Sequence, residues 1–368
     1  MLSNEINDAQ RLVRTDAYQM SIGELVSMYE AQEIKIDPEF QRLFRWEISQ
    51  KSKLIESILL GIPLPPIFVY EKDDGNWELV DGLQRLSTIL EFMGHLHDSD
   101  GNRQAPLILD ATKYLPSLHN VVWEKTDQIA DVPENDQRPL EKTEQLAIRR
   151  ARIGVEILKR PSDNQTKFDL FQRLNAGGTL ANAQELRNCI MLMVNRGYFQ
   201  ALKAVAESAP FLEVAKVSSG QREKQRHMEL AVRFLVHTLV PYDGTLDVEE
   251  FVDDGIVKIL QEQDQQTALT ILRDTFELLS NAAGENALRR YDGENYVGKV
   301  GLVALEGIAV GIGRNIATIR NLPDPTAFVL EKSQAFWQDA GTNEFTSPGM
   351  RGTTRILRTV PFGEQWFK

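Results

Sequence analysis

The sequence predicts an α+β unit followed by a mostly helical domain. Three observations carry that expectation. Residues 67–71 and 77–80 read as two strands joined by the turn Asp73-Asp74-Gly75-Asn76, a strong local hairpin signal. Directly after them, Leu86, Ile89, Leu90 and Met93 recur at i, i+3, i+4 and i+7, one stripe of a helix. From Asp163 onward the apolar pattern is helical almost throughout. The expected organisation is a polar leader over residues 1–20, an α+β domain over 21–160 and a helical domain over 161–368.

In chain order, Ser21-Ile22-Gly23-Glu24 has the form of a capping box opening a helix through about Glu30. Residues 33–37 read as a short strand ended by Pro38. Ser49 is a plausible N-cap for a helix over 50–60, with Leu54, Ile55, Ile58 and Leu59 on the buried side. Gly61 suits its C-terminal stop, and Pro63, Pro65 and Pro66 forbid continuation. Residues 94–145 are less regular, with a loop expected at 130–138, and residues 153–158 look like a further strand. In the second half, Phe168, Phe171 and Leu174 mark one helix, and Ala183, Leu186, Ile190 and Met193 the next. Met228, Ala231, Val232, Leu235 and Leu239 form another stripe, followed by Leu269, Leu272, Phe276 and Leu279. No repeat of fixed period occurs.

A chain of 368 residues, 42% hydrophobic and 26% charged, is long enough to bury a large core and to divide into two domains. No run of about 18 or more uninterrupted apolar residues occurs, so no transmembrane span is expected. The most apolar stretch, 297–313, is interrupted by Lys299 and Glu306 and reads as a closely packed helix pair or a broken helix. The N-terminus lacks a basic region followed by an apolar run, and the single cysteine, Cys189, cannot form an internal disulfide. Together these point to a cytoplasmic protein. A net charge of −12 argues against a uniformly basic nucleic-acid surface, although not against a local basic groove.

Chemistry concentrates in Asp81-Gly82-Leu83-Gln84-Arg85, at the strand-to-helix turn. A glycine there lets backbone approach a ligand, and a helix N-terminus presents N–H groups to anions. Gln84 and Arg85 add side-chain donors, and Asp81 a carboxylate for a metal ion or a water. A plain turn would use the same residues. Phe40-Gln41-Arg42-Leu43-Phe44-Arg45-Trp46 places two arginines beside aromatics, suited to phosphate or to stacking on a base, or else to core and surface ion pairs. Gly61-Ile62-Pro63-Leu64-Pro65-Pro66 is architectural. Arg173 and Asn175 precede Gly177-Gly178, which would serve as a helix C-cap.

Other chemistries find little support. His95 and His97 alternate near an Asp-rich loop, but no further ligand spacing completes a metal site. No Gly-rich loop ending in Lys-Ser/Thr and no Gly-x-Ser-x-Gly elbow occurs. Lys216, Arg222, Lys224 and Arg226, and later Arg351, Arg355 and Arg358, read as solvated faces.

Taken in order, Phe40-Gln41-Arg42 with Trp46, Leu54-Ile55-Glu56-Ser57-Ile58-Leu59 with Gly61-Ile62-Pro63-Leu64-Pro65, Val80 to Thr88, and Phe171-Gln172-Arg173-Leu174-Asn175 with Gly178 resemble one family. It is the N-terminal domain of GmrSD-type modification-dependent restriction proteins, over about residues 21–240. The resemblance implies a ParB/sulfiredoxin-like fold and an Asp-Gly-Gln-Gln-Arg motif associated with nucleoside-triphosphate binding and hydrolysis, coupled to DNA cleavage and phage defence. By position, Asp81, Gly82, Gln84 and Arg85 match that motif, Arg42 the upstream arginine, and Arg173 and Asn175 the downstream pair. The implied roles are Asp81, Gln84 and Arg85 in catalysis, with Asp81 on Mg²⁺. Arg42, Gly82, Gln84, Arg85, Arg173 and Asn175 would hold the nucleotide.

Two departures qualify the resemblance. The family's first Gln is Leu83 here, which removes one amide; Leu83 stands in register with Leu86 and Leu90 and is expected to pack into the core. Binding on Gln84 and Arg85 is compatible with that loss, and hydrolysis is left open. No histidine follows residue 240, whereas the family's HNH nuclease domain needs histidines for metal and general base. Cleavage is therefore expected on a separate nuclease chain. The implied partners are a nucleoside triphosphate with Mg²⁺, DNA and that nuclease, with no membrane. The alternative is a non-enzymatic DNA- or partner-binding module. Oligomeric state is open, although large helical domains often pair.

Overall fold

The computed structural model describes residues 14–36, 46–98, 101–159, 183–262, 264–347 and 349–368. The chain divides into two compact units, residues 1–180 and 181–368. The first is α+β and the second is helical.

Unit 1 is built on a five-stranded mixed sheet in the order β1-β7-β3-β4-β2. Its strands are β1 (Arg14–Ser21), β2 (Ile34–Lys35), β3 (Ile67–Glu71), β4 (Trp77–Asp81) and β7 (Arg152–Lys159). The expected hairpin is present, with β3 antiparallel to β4. Strand β7 lies parallel to β3, so the strand expected at 153–158 sits inside the sheet, between β1 and β3; its inward residues Ile153, Val155 and Ile157 are buried. Residues 14–20 belong to β1, antiparallel to β7 along its length. The polar leader expected over 1–20 is corrected there: a period-two pattern is weak on an edge strand with exposed side chains, and Tyr18 is exposed.

Ser21 caps the Ile22–Glu30 helix by accepting from the Glu24 N–H. The next helix runs Ile48–Leu59, and its cap is Glu47 rather than Ser49. Glu47 and Gln50 form a reciprocal capping box, a role glutamate seldom fills, which explains why Ser49 looked the better candidate. Glu56 belongs to the Leu54–Leu59 motif, yet its work is architectural. Its Oε1 accepts from the Tyr114 and Leu115 N–H groups at 3.0 and 3.1 Å and from the Thr112 hydroxyl, which pins the 112–115 loop. Lys51 on the same helix meets Glu91 on the Leu83–Phe92 helix at 2.7 Å, both largely buried. Burial outweighs this pairing and raises the Glu91 pKa.

Unit 2 packs its helices around Phe211, Phe234 and Phe276, the first and last stacked at 4.3 Å. The helices expected around 183–193, 228–239 and 269–279 appear as Ala183–Ala206, Arg226–Leu239 and Gln265–Ala283. The first is broken at Asn195, whose backbone leaves the helical region. The apolar 297–313 stretch becomes the helix Leu302–Ile319, interrupted by a π-helical turn at Leu305–Ala309. By length and composition Leu302–Ile319 could cross a membrane, but it is 67% buried inside the structure. Its glycines allow close packing: a Cβ on Gly311 would lie 2.6 Å from the carbonyl oxygen of Gly363 in the Gly352–Trp366 helix. Arg355 was expected on a solvated face; instead its guanidinium makes two 2.8 Å bonds to the buried Glu306 carboxylate. The helix marked by Phe168, Phe171 and Leu174 lies outside the described residues.

Candidate functional site

The pentapeptide Asp81–Arg85 spans the end of β4, a left-handed turn and the first turn of the Leu83–Phe92 helix. Gly82 sits at φ +95°, and a Cβ there would lie 2.4 Å from Ile67 Cγ2. Glycine is thus required by backbone conformation and by the approach of β3. Among the described residues no side chain caps this helix start, and its first intrahelical bond runs from the Leu86 N–H to the Gly82 carbonyl. The amides of Leu83, Gln84 and Arg85 therefore form the positive end of the helix dipole.

A β-bulge aims the aspartate. Phe68 pairs with Asp81 but Val69 pairs with Leu79, so Val80 is an extra residue in β4. With an unbroken period of two, Asp81 would share the buried face of Leu79. The bulge carries it to the Phe68 face instead, where its side chain keeps 32% exposure.

Arg85 is 8% exposed. Its Nη2 donates to Asp81 Oδ2 and to the Pro66 carbonyl, each at 2.9 Å, which ties the Gly61–Pro66 connection to the end of β4. The Arg85 Nε is buried and has no hydrogen-bond partner among the described residues. Gln84 Oε1 accepts from the Trp46 N–H at 3.1 Å, so the end of the Phe40–Trp46 motif is anchored at the helix start. Leu83 is only half-buried, which corrects the expectation that it packs into the core: it lies in the first turn, before the stripe of Leu86, Ile89 and Leu90 goes under.

Asp81, Gly82, Gln84 and Arg85 are therefore gathered at one turn, while Arg42, Arg173 and Asn175 lie outside the described residues. Sequence reading missed two partners, the Trp46 N–H and the Pro66 carbonyl. Both are backbone groups, and their residue types carry no signal of the role. Nor did it find the bulge at Val80. Among the described residues no group of three or more His, Cys, Asp or Glu is placed to hold a metal ion. His95 instead faces Glu30, with Nδ1 and Oε1 2.6 Å apart.

Residues 22–192 match the family model for the N-terminal domain of the GmrSD restriction endonuclease. This stretch is a GmrSD-type N-terminal domain. The match takes in the whole α+β sheet apart from β1 and ends within the Ala183–Ala206 helix. No curated protein matches the chain. The GmrSD-type domain places the protein among components of restriction and phage-defence systems.

Proposed function

We propose that the GmrSD-type domain binds a nucleoside triphosphate at the start of the Leu83–Phe92 helix and serves as the nucleotide-responsive part of its defence system. The observation that carries this reading is the buried, unpartnered Arg85 Nε beside an uncapped helix N-terminus. Such a pair of donors suits a phosphate oxygen. In this reading the helix amides and Arg85 neutralise phosphate charge, and Gln84 couples occupancy to the Trp46 segment. Asp81 is the one carboxylate at the turn. Mg²⁺ commonly takes one or two carboxylates, with phosphate oxygens and waters completing its shell, so a single aspartate fits a nucleotide-borne ion. Asp81 would then exchange its Arg85 partner for the ion or for the attacking water. Arg42, Arg173 and Asn175 complete the proposed binding set, and in this reading DNA cleavage falls to a partner nuclease.

A second reading has its own support. Asp81 and Arg85 already bond each other, and Gln84 already holds Trp46, so all three side chains serve the fold. With Leu83 at the motif's first Gln position, this favours a DNA- or partner-binding module that uses nucleotide, if at all, as a clamp. Titration of ATP and GTP, with and without Mg²⁺, against the protein's thermal midpoint tests the first reading, because a ligand of the folded state must raise that midpoint. No shift at millimolar nucleotide overturns it. Given binding, phosphate release abolished by Arg85→Ala marks an NTPase, and binding without turnover marks the module.

A further inference from the structure

The helical unit contains a second cluster of unmet polar groups, around His237. This residue is 2% exposed near the end of the Arg226–Leu239 helix, and neither ring nitrogen has a hydrogen-bond partner. Its ring stacks on Phe251 at 5.6 Å. Beside it, Arg314 donates from Nη2 to the His237 carbonyl and from Nη1 to Glu364, both at 2.6 Å, while its Nε is buried and unpartnered. The buried Thr238 hydroxyl also lacks a partner. Four such atoms on three neighbouring residues are unusual, because buried polar atoms are nearly always satisfied by protein, water or ligand.

These residues line two cavities. One, of about 160 Å³, is bounded by His237, Tyr242 and Arg314 on one side and by Ile356, Leu357 and Pro361 of the Gly352–Trp366 helix on the other. The second, of about 390 Å³, contains Thr238 and Glu364 and shares Pro241 and Arg314 with the first. Pro361 has no N–H to return to the Leu357 carbonyl one turn back, so the helix lacks one backbone hydrogen bond where it walls the cavity. The first cavity lies below the roughly 300–1,000 Å³ of pockets for drug-sized ligands, which calls for a small occupant.

The available groups are rich in donors: the Arg314 Nε–H, one N–H of a neutral imidazole and the Thr238 hydroxyl. The charged groups around the ring are three arginines, each paired with a carboxylate: Arg233 with Glu229 and Glu249, Arg314 with Glu364, and Arg355 with Glu306. Burial first, and then Arg233, Arg314 and Arg355, push the His237 pKa down to about 3. A site that offers unmet donors, one of them on a guanidinium, against an apolar wall suits an acceptor-rich oxyanion with a short apolar body.

We propose that the His237–Thr238–Arg314 cluster is a binding site for a small oxyanion, a carboxylate or a phosphate. This site is separate from the turn at Asp81–Arg85 and does not depend on nucleotide binding there.

The test titrates the intact protein with inorganic phosphate and, separately, with butyrate, against chloride at matched ionic strength, reading the thermal midpoint. A saturable rise with one anion and not the other identifies which class the site takes. His237→Phe keeps the stack on Phe251 but removes both ring nitrogens, and it should weaken the apparent affinity by about tenfold or more, as loss of a charge-assisted hydrogen bond does. Thr238→Val, close in shape, should weaken it in the same direction and serves as the readout should His237→Phe fail to fold. No rise beyond chloride with either anion overturns the proposal, as does a response that survives the His237 or Thr238 substitution at full affinity.

Discussion

Replacing Gly82 with alanine probes the turn on which the nucleotide reading stands. At φ +95° an L-residue pays roughly 1–2 kcal/mol for left-handed backbone. The new Cβ would also lie 2.4 Å from Ile67 Cγ2 and 2.9 Å from Ile67 Cβ, inside contact distance of a fully buried side chain on the central part of the sheet. Overpacking of that kind typically costs about 1–3 kcal/mol. The sum, roughly 2–5 kcal/mol, is a large share of the about 5–15 kcal/mol that holds an ordinary domain together. Urea unfolding followed by tryptophan fluorescence measures it, since Trp46, Trp77 and Trp123 all lie in unit 1. Because the clash is with one side chain, Ile67→Ala should relieve part of it. The double variant should lose at least about 1 kcal/mol less than the two single losses added together. A Gly82→Ala loss under about 0.5 kcal/mol, typical of an uninvolved surface site, would refute the described turn. Strict additivity with Ile67→Ala would refute the contact.

Two further predictions follow from unit 1. Lys51→Met strands the Glu91 carboxylate in a largely buried position and should cost about 3 kcal/mol, recovered in the double variant Lys51→Met/Glu91→Leu. The loss in the single variant should shrink as pH falls, because burial already raises the Glu91 pKa and a protonated Glu91 needs no cation; denaturant midpoints at several pH values check this. Glu56→Ala leaves the Tyr114 and Leu115 amides without their acceptor and should cost about 2 kcal/mol. The Thr112 hydroxyl holds the Glu56 carboxyl below its usual value of 4.5. Its charged form therefore stabilises the fold above that value and ceases to do so as pH falls through the lowered one. The stability difference between wild type and Glu56→Gln should fade over that interval, as read by pH-dependent thermal midpoints.

Much of unit 1 is legible locally because the signals are short-ranged. The Asp73–Asn76 turn fixes the β3–β4 hairpin, Ser21 caps the first helix, and the stripe Leu86, Ile89, Leu90 defines the helix after the motif. The position of Asp81, Gly82, Gln84 and Arg85 on one turn is legible for the same reason, since adjacent residues cannot be far apart. Their partners are another matter. The Ser49 cap was misread because Glu47 and Gln50 cap each other, a reciprocal arrangement that residue preference alone ranks lower. Arg355 read as a solvated cation because its carboxylate, Glu306, is 49 residues away.

What the amino-acid order determined by itself is which residues sit together at the strand-to-helix turn; that Gly82 is left-handed and pressed against Ile67 emerged only in the fold. Tertiary structure decided the rest. The register of β3 against β4 inserts Val80 as a bulge and turns Asp81 off the buried face, and the fold brings the Pro66 carbonyl to Arg85 and the Trp46 amide to Gln84. The physical reason is that backbone donors and acceptors are the same in every residue, so their meetings across 19 and 38 positions leave no mark in residue type and arise only when the sheet closes.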